Sequence, residues 1–553
     1  MKQDYQRWLT EVRDPELHRQ LREMQPEEIE DAFGRALSFG TGGLRGILGA
    51  GTNRMNVYLV RRATQGLANY LKAKKLPLSV AIAHDSRLHG REFAEAAACV
   101  LAANGIRVWL YPRLEPTPAL SWAVRQLSCG AGICITASHN PAQYNGYKVY
   151  GPDGGQITLD AAQAIEGEIA GIDCFTGVQS CGYETACAAG QITAIPDSIL
   201  DAFLDAVLAL RLTREPCKNL KLVYTPLCGS GMELAQKLFE KLAIPDVTVV
   251  PEQQKPDGRF PSCPYPNPEL PQAMEAGLRL CKEQQADLLL ATDPDSDRCG
   301  AAVRDREGEY RLLSGNEMGI LLLDFLCKMR SEQQTMPQSP VAVTTVVSTG
   351  MADRIAAHYG VELRRTLTGF KYIGEQIGLL ERTGQAGRFL FGFEESCGYL
   401  SGTHVRDKDG INAMLLICQM ASHYKAQGKT LPDVLEELFR QYGWYQTGQV
   451  VRTLDGETGM AAMRALLQRL RACPPQQLAG FPVTKLRDYL PGLNGLPAAD
   501  MLEFCLPCGR LLLRPSGTEP KLKLYLEVSS PTRAEAAQRY AALHEAAETL
   551  LQK

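Results

Sequence analysis

The chain alternates short apolar segments with helix-like segments, and this alternation constrains the fold more than any other feature of the sequence. Within residues 79–110, for example, a helix-like segment separates two apolar ones. Strands that alternate with helices of this length indicate βαβ units and a largely parallel sheet. The pattern restarts twice and then changes near residue 440. We therefore predict an α/β fold, with three similar mixed α/β domains and a fourth α+β C-terminal domain around a central cleft.

The length of the chain requires several domains. A chain of 553 residues is too long to fold around a single hydrophobic core. We predict domain boundaries that give residues 1–200, 201–308, 309–438 and 439–553. Each of these blocks contains a polar loop directly after an apolar strand, and ligand sites of open α/β sheets lie at the carboxyl ends of strands.

Composition narrows the class of protein. The net charge is −3, from 59 Lys and Arg against 62 Asp and Glu, which argues against a broad nucleic-acid-binding surface. The 17 cysteines lack framework spacing and predict reduced, mostly buried thiols. Cys505 and Cys508 form a CxxC without a second pair, so we predict no zinc or redox role for them. A polar N-terminus and the lack of a long apolar run favour a cytoplasmic protein without a signal peptide or membrane partner. The sequence is compatible with a monomer or a dimer.

Three aspartates mark the second block. Asp293, Asp295 and Asp297 directly follow the apolar segment 286–291. Three carboxylates within five residues repel one another unless a cation neutralises them, and hard oxygen ligands at this spacing suit Mg²⁺. We therefore predict a magnesium site here. Arg298, next to the triplet, would suit a phosphate or an ion pair.

A serine lies just beyond an apolar strand of the first block. The loop 136–141 reads Thr-Ala-Ser-His-Asn-Pro, with Ser138 next to His139. Neighbouring residues rarely meet in nucleophile–base geometry, and G-x-S-x-G is missing, so a hydrolase is disfavoured. A serine that accepts and donates a phosphoryl group fits better. Lys148 could then stabilise the transferring charge or move a proton.

Three further loops carry candidate ligand groups. The glycine-rich segment 39–46 holds Arg45. Glu394 and Glu395 follow another apolar strand, where they would bind sugar hydroxyls or simply be solvated. The loop 514–521 offers guanidinium, hydroxyl and backbone donors of the kind that a phosphate dianion binds. Its donor residues are Arg514, Ser516, Gly517, Thr518 and Lys521.

These loops, in this order, resemble those of the α-D-phosphohexomutase superfamily, the phosphoglucomutase/phosphomannomutase enzymes, and most closely its larger phosphoglucomutase branch. The resemblance implies that Ser138 carries the phosphoryl group, and that a phosphoserine oxygen completes the magnesium site. It implies sugar recognition by Glu394, Glu395 and Ser396, and phosphate binding by the loop 514–521 of a mobile last domain. Further residues at active-site positions of the family are Arg45, His139, Lys148, Arg298, Thr368, Gly369, Lys371, His404, Arg406 and Lys408.

The resemblance also implies a reaction. Phosphorylated Ser138 would convert glucose 1-phosphate and glucose 6-phosphate into one another through a bound glucose 1,6-bisphosphate, with Mg²⁺ as cofactor. Arg45, His139 and Lys148 would assist at the phosphoserine. Phosphopentomutase, phosphomannomutase and sugar-bisphosphate synthase activities remain alternatives within the family. A non-catalytic sugar-phosphate-binding paralogue and a metal-dependent phosphatase are alternatives of other classes.

Overall fold

The computed structural model describes residues 1–40, 42–453, 456–515 and 521–552. Within these residues the strands form four large sheets, of six, five, four and five strands, and one two-stranded ribbon. Each large sheet is built from one continuous part of the chain. The predicted fold class is confirmed, because three mixed α/β domains are followed by a fourth α+β domain.

The first domain supplies a six-stranded sheet. Its helices are α1 (Lys2–Glu11), α2 (Pro15–Glu23), α3 (Pro26–Phe33), α4 (Val57–Ala73), α5 (Gly90–Ala103), α6 (Thr117–Gln126), α7 (Leu159–Ala170) and α8 (Tyr183–Ala188). Its strands are β1 (Gly43–Ile47), β2 (Ser79–His84), β3 (Arg107–Leu110), β4 (Ala131–Ile135), β5 (Tyr144–Tyr150) and β6 (Ile192–Ala194). The order is β1-β5-β4-β2-β3-β6, with β2, β3, β4 and β6 parallel. Strands β2 and β4 therefore deliver the loops that follow them to the same edge.

The second domain has a five-stranded sheet in the order β11-β10-β9-β7-β8. Its helices are α9 (Asp197–Leu208), α10 (Met232–Lys241), α11 (Pro251–Gln254) and α12 (Pro271–Gln284). Its strands are β7 (Lys221–Thr225), β8 (Asp246–Val249), β9 (Leu288–Thr292), β10 (Cys299–Arg304) and β11 (Tyr310–Leu313). Strand β9 is buried along its whole length. The aspartate triplet occupies the turn between β9 and its antiparallel neighbour β10.

The third domain has four strands in the order β13-β12-β14-β15. Its helices are α13 (Gly315–Glu332), α14 (Met351–Tyr359), α15 (Phe370–Arg382), α16 (Gly410–Ala426) and α17 (Leu431–Tyr442), with a 3₁₀ turn at Ala386–Arg388. Its strands are β12 (Val341–Thr345), β13 (Glu362–Thr366), β14 (Phe389–Glu394) and β15 (Gly398–Ser401). The glutamate pair lies at the end of β14, in the tight turn to β15.

The fourth domain differs from the others, because the strand pairs described in its five-stranded sheet are antiparallel. Its helices are α18 (Gly456–Ala472) and α19 (Arg533–Gln552). Its strands are β16 (Trp444–Thr453), β17 (Gln477–Leu478), β18 (Phe481–Pro482), β19 (Lys485–Asp488), β20 (Leu502–Leu506), β21 (Gly509–Pro515) and β22 (Lys521–Ser530).

The apolar cores show how the domains are joined. One continuous core runs through the first three domains and includes Ala81, Leu222 and Leu321. The fourth domain has a core of its own and meets the third through a smaller cluster that includes Leu367 and Tyr525. The domain boundaries at residues 200, 308 and 438 stay predictions. Strand β11 follows residue 308 but pairs with β10 of the second sheet.

All 17 cysteines are free thiols, and most of them are buried, as predicted. Cys505 is half-buried on strand β20, and Cys508 is buried in the turn between β20 and β21. Among the described residues, no helix is both long enough and apolar enough to cross a membrane.

A buried glutamate at the boundary of the first two domains gives a prediction about pH. Glu115 lies 3.1 Å from the guanidinium of Arg113, and burial raises its pKa from 4.5 to about 8. The folded chain thus holds a proton that the unfolded chain releases, so this contribution to stability is full below pH 4.5 and disappears as the pH rises towards 8. We therefore expect the stability of Glu115→Gln, relative to that of the parent protein, to increase as the pH rises from 5 to 9. At about 1.4 kcal/mol per unit of pKa shift, the increase amounts to a few kcal/mol.

Thermal melting of both proteins across this pH range measures the difference. The exposed Glu240→Gln on helix α10 is the matched control. A difference in melting temperature between Glu115→Gln and the parent that stays constant with pH would show that Glu115 does not titrate in this window.

Candidate active site

Ser138 lies three residues beyond strand β4, where the buried sheet ends. Its side chain is buried, and its Oγ donates a hydrogen bond of 2.7 Å to Oδ2 of Asp293 in the second domain. Nδ1 of His139 lies 3.2 Å from the same Oγ. The backbone of Ser138 is left-handed, with φ = 51°. A residue with a Cβ adopts this conformation at a cost, so the surroundings must hold it.

The aspartate triplet faces this serine. Asp293, Asp295 and Asp297 are at most 1% exposed, and one carboxylate oxygen from each lies within 4.8 Å of the others. Oδ1 of Asp295 and Oδ1 of Asp297 are buried and have no hydrogen-bond partner among the described residues. Unpaired carboxylate oxygens in a dry site are costly unless a cation binds them. The donor set is all oxygen and therefore fits Mg²⁺.

Protein cations surround the carboxylates. Nζ of Lys148 lies 2.8 Å from Oδ2 of Asp295, and Nζ of Lys408 lies 3.0 Å from Oδ2 of Asp297. The backbone N–H of Arg298 donates to Oδ1 of Asp293 at 3.1 Å. The Arg298 guanidinium forms an ion pair of 2.6 Å with Glu269. The site thus places positive groups from three domains around one acidic centre.

The electrostatics of the site follow from burial and charge. Burial and repulsion from Asp295 raise the pKa of Asp293 well above its usual value. Burial also acts on Asp295, but the Lys148 ammonium outweighs it and lowers the pKa of that carboxyl. Burial, together with the charges of Arg298 and Arg45, holds the pKa of His139 well below 6.5. His139 is therefore a neutral imidazole at neutral pH.

Arg45 reaches the site through sheet pairing. It lies on β1 opposite Gly146 of β5, two residues from Lys148. The pairing of β1 with β5 thus brings Arg45 and Lys148 towards the serine loop. Both residues are among those that the sequence analysis predicted for the site.

The glutamate loop of the third domain is built by strand β14 and the start of helix α15. Oε1 of Glu394 accepts a hydrogen bond of 2.8 Å from the backbone N–H of Gly369. Oε2 of Glu395 accepts one of 3.2 Å from Thr345. Oγ1 of Thr368 is buried, and none of the residues that the structure describes forms a hydrogen bond with it. Glu394 is thus fixed by the loop that holds Thr368 and Gly369, which the sequence placed at the same site.

The remaining predicted residues of this domain divide into two groups. Lys408 reaches Asp297, as described above. Arg406, by contrast, pairs with Glu381 at 2.5 Å and donates to the Thr403 carbonyl at 2.6 Å. Nε2 of His404 lies 2.8 Å from Asp409 at the start of helix α16. These contacts give His404 and Arg406 structural partners within the third domain in this conformation.

Other residues of the third domain line the same region. Ser396 is half-buried in the turn between β14 and β15. Lys371, on the first turn of α15, holds its ammonium 5.3 Å from the ring centre of Tyr372, and burial lowers its pKa. Their roles in substrate binding stay predictions.

The predicted phosphate loop of the fourth domain is described only at its two ends. Ser516, Gly517 and Thr518 lie outside the described residues. Arg514 closes β21 beside Pro515, and Lys521 begins β22. Burial and the charge of Glu394 raise the pKa of Glu395 to about 7, and the nearby charge of Arg514 opposes this rise. The fourth domain therefore presents Arg514 to the glutamate loop of the third.

Sequence reasoning missed three residues that support this site. Thr117, at the start of helix α6, donates to Oδ2 of Asp295 at 3.1 Å. Asp85 accepts a hydrogen bond of 2.5 Å from Thr136, and Arg87 donates one of 2.5 Å to the carbonyl of Ser138. Their position in the sequence could have indicated two of them. Asp85 and Arg87 lie just after strand β2, and β2 is parallel to β4, so the two strands end at the same edge of the sheet.

A glycine of the second domain supports the aspartate loop and gives a further prediction. A Cβ on Gly229 would lie 2.4 Å from Cα of Pro294, within the triplet. Because this neighbour is backbone, Gly229→Ala must shift the aspartate loop. We expect a loss of about 1–3 kcal/mol in stability and a weaker affinity for Mg²⁺, although no ligand is changed.

Thermal melting and titration with Mg²⁺ test this expectation. Gly167→Ala, on helix α7, is the matched control, since a Cβ there meets nothing within 4 Å. An unchanged Mg²⁺ affinity in Gly229→Ala would contradict a role of this contact in shaping the loop.

Comparison with known proteins agrees with this architecture. Four family models match in chain order: phosphoglucomutase/phosphomannomutase alpha/beta/alpha domains I, II and III at residues 36–174, 201–308 and 314–442, and the C-terminal domain at 454–543. A phosphoglucomutase of Staphylococcus aureus (strain USA300) is 34% identical over 558 residues, covering 98% of each chain.

Solved structures share the fold. A phosphomannomutase described as putative, from Thermus thermophilus, superposes with a TM-score of 0.71 at 22% identity, covering 94% of this chain and 100% of the other. The open form of parafusin, a phosphoglucomutase from Paramecium, gives a TM-score of 0.70 at 18% identity, covering 93% of this chain and 94% of the other.

The fold and the site together define a four-domain α/β enzyme with an acidic centre next to a buried serine. The chain belongs to the phosphoglucomutase/phosphomannomutase family, and it is an intramolecular phosphotransferase of the isomerase class.

Proposed function

We propose that this enzyme is a magnesium-dependent phosphoglucomutase, which interconverts glucose 1-phosphate and glucose 6-phosphate through a phosphoserine at position 138. One observation carries the proposal. The Ser138 hydroxyl donates to Asp293 inside a cluster of three buried carboxylates, two of which have an oxygen that no described residue pairs. A serine bound in this way lies where a cation and a transferring phosphoryl group would meet. The name and full-length similarity of the Staphylococcus aureus relative support glucose as the sugar.

The metal would be held by Asp293, Asp295 and Asp297 together with an oxygen on Ser138. When bound, Mg²⁺ supplies charge neutralisation at the phosphoryl group. The remaining positive charge comes from the protein, since Lys148 and Lys408 are fixed by Asp295 and Asp297. Arg298 adds a third cation, fixed by Glu269.

The reaction proceeds in two transfers. A hydroxyl of the sugar monophosphate attacks the phosphorus of phosphorylated Ser138. The new O–P bond forms as the old one breaks, so the sugar oxygen loses a proton and Oγ of Ser138 gains one. The resulting glucose 1,6-bisphosphate turns within the cleft and returns its other phosphoryl group to Ser138. Exclusion of water during these steps prevents hydrolysis of the phosphoserine.

Substrate contacts are assigned to the third and fourth domains. The carboxylates of Glu394 and Glu395 accept hydrogen bonds from sugar hydroxyls. Arg514 and the loop that follows it bind the phosphate that is not being transferred. Because the bisphosphate must bind in two orientations, these groups contact features that both orientations present. We assign His139, whose Nδ1 lies 3.2 Å from the serine oxygen, to the phosphoryl site, because the Ser138 hydroxyl donates its hydrogen bond to Asp293.

The test offers the 1-phosphates of glucose, mannose and ribose with Mg²⁺, each with and without its own bisphosphate, and follows the products by ³¹P NMR. We expect the highest kcat/KM with glucose 1-phosphate, and activation by glucose 1,6-bisphosphate. A preference for mannose or ribose would assign phosphomannomutase or phosphopentomutase activity instead.

Other outcomes would overturn the mutase assignment. Release of inorganic phosphate without isomerisation would identify a phosphatase. Accumulation of bisphosphate from a separate phosphoryl donor would identify a sugar-bisphosphate synthase. Binding of a sugar phosphate with no turnover of any substrate would identify a non-catalytic paralogue.

A further inference from the structure

The left-handed backbone of Ser138 is held from both sides by groups outside the aspartate cluster. On the amide side, the Ser138 N–H donates to Oγ1 of Thr136 at 2.8 Å. Thr136 in turn donates to Oδ2 of Asp85 at 2.5 Å. On the carbonyl side, Nη2 of Arg87 donates to the Ser138 oxygen at 2.5 Å. Asp85, which holds Thr136, and Arg87 both lie in the loop that follows strand β2.

Arg87 also donates hydrogen bonds to three other carbonyl oxygens of the serine loop. Its Nη1 donates to the carbonyl oxygens of Pro141 at 2.9 Å and Tyr144 at 2.8 Å, and its Nη2 also bonds the carbonyl of Asn140. One guanidinium thus joins four carbonyl oxygens within seven residues. Five donors in a rigid planar fork make arginine suited to this task.

The guanidinium itself is fixed and covered. Oδ2 of Asp85 lies 3.5 Å from Nε of Arg87, and both side chains are fully buried. Oδ1 of Asp85 accepts the backbone N–H of Arg87 at 2.8 Å. The ring of Phe260, from the second domain, lies 5.1 Å from the guanidinium carbon. Asp85 therefore orients both Thr136 and Arg87, and Phe260 of the second domain shields the Arg87 guanidinium from solvent.

We infer that Arg87, oriented by Asp85, is a positioning residue that fixes Ser138 in its strained backbone conformation for phosphoryl transfer. Its Nη donors are used on carbonyl oxygens of the loop, so its contribution is to geometry and not to the binding of sugar phosphate. This role rests on the proposed function, because the position of the Ser138 oxygen matters for catalysis only if that oxygen carries the phosphoryl group. Displacement of a reacting group by about 1 Å can lower a rate by about 100-fold.

The experiment compares Arg87→Lys with the parent protein. Lysine keeps the charge, but its single ammonium cannot span four carbonyls. We expect kcat for the glucose 1-phosphate reaction to fall by about 100-fold, with KM and Mg²⁺ affinity unchanged within about threefold. The rate at which glucose 1,6-bisphosphate phosphorylates Ser138, followed by intact mass, should fall in parallel. A fall in kcat/KM that comes entirely from KM would overturn the inference.

A second readout does not depend on turnover. The backbone amides of Asn140 and Tyr144 are bonded within the loop, to Ala137 and Pro141. In Arg87→Lys we expect hydrogen exchange of these amides to be at least about tenfold faster, while the amides of strand β4 exchange as before. Unchanged exchange in the loop would overturn the inference even if the protein proved not to be a mutase. An inactive parent protein with faster loop exchange in the variant would refute the proposed function and leave the restraint established.

Two further variants complete the design. Arg91→Lys is the matched control, because Arg91 also donates to a carbonyl, that of Pro112, but on the exposed side of the first domain. It should leave kcat and loop exchange unchanged. Thr136→Val removes the restraint on the amide side and should reduce kcat with KM unchanged, by about tenfold. If Arg87→Lys does not fold, this variant decides the outcome: a kcat equal to that of the parent would refute positioning.

Discussion

Replacing Ser138 by alanine is expected to lower mutase activity by about 10³-fold or more, because the hydroxyl that we propose as the phosphoryl carrier is removed. The substitution deletes one oxygen and the 2.7 Å hydrogen bond to Asp293, and alanine keeps the Cβ that the buried loop surrounds. Stability should therefore change little. Steady-state kinetics with glucose 1-phosphate measures the loss. Intact mass after incubation with glucose 1,6-bisphosphate should show an added phosphoryl group in the parent and none in the variant.

Ser128→Ala is the matched control for this experiment. Ser128 is exposed, has φ = 50°, close to the 51° of Ser138, and lies before strand β4 instead of after it. Any cost of placing alanine in left-handed backbone is therefore common to both variants. Near-parental activity of Ser138→Ala, with Ser128→Ala as reference, would eliminate the phosphoserine mechanism.

Neutralising the first aspartate of the triplet is expected to change metal binding and stability in opposite directions. In Asp293→Asn, one of three carboxylates within 4.8 Å loses its charge. We expect Mg²⁺ affinity to fall by about 100-fold or more, and activity to fall with it. Without metal, however, the variant should melt at the same temperature as the parent or higher, because mutual repulsion of buried carboxylates is relieved.

Calorimetric titration with Mg²⁺, and thermal melting with and without the metal, separate the two effects. A ligand that binds the folded state raises its stability, so Mg²⁺ should raise the melting temperature of the parent and not that of Asp293→Asn. Asp246→Asn, exposed at the start of β8 in the same sheet, is the control and should retain the Mg²⁺-dependent rise. A parental Mg²⁺ affinity in Asp293→Asn would place the metal elsewhere.

The main parts of the site could be predicted from the sequence because each is local. A buried strand followed by Ser138, and another followed by the aspartates, are readable patterns, and the rule that strand ends of open sheets carry sites brings them together. The family resemblance implied that an oxygen of Ser138 completes the aspartate site, and the Ser138 hydroxyl lies 2.7 Å from Asp293. Lys148 and Lys408 were also expected, and both contact the triplet.

What could not be predicted depends on geometry between distant segments. Arg87 was readable as a charged residue after a strand, but its four carbonyl acceptors depend on how β2 and β4 align in the sheet. Likewise, the family resemblance placed Arg406 in the active site. Its ion pair with Glu381 depends on the packing of α15 against the segment before α16, which sequence periodicity does not encode.

The serine and its acidic partner come from separate sheets, and 155 positions along the chain divide Ser138 from Asp293. This spacing has a consequence for biosynthesis. A nascent chain that has left the ribosome only through its first domain contains the serine but lacks Phe260, which covers Arg87, and the three aspartates of the proposed metal site. Under the proposed mechanism, Ser138 could carry a phosphoryl group only after synthesis has passed residue 297 and the second sheet has docked onto the first.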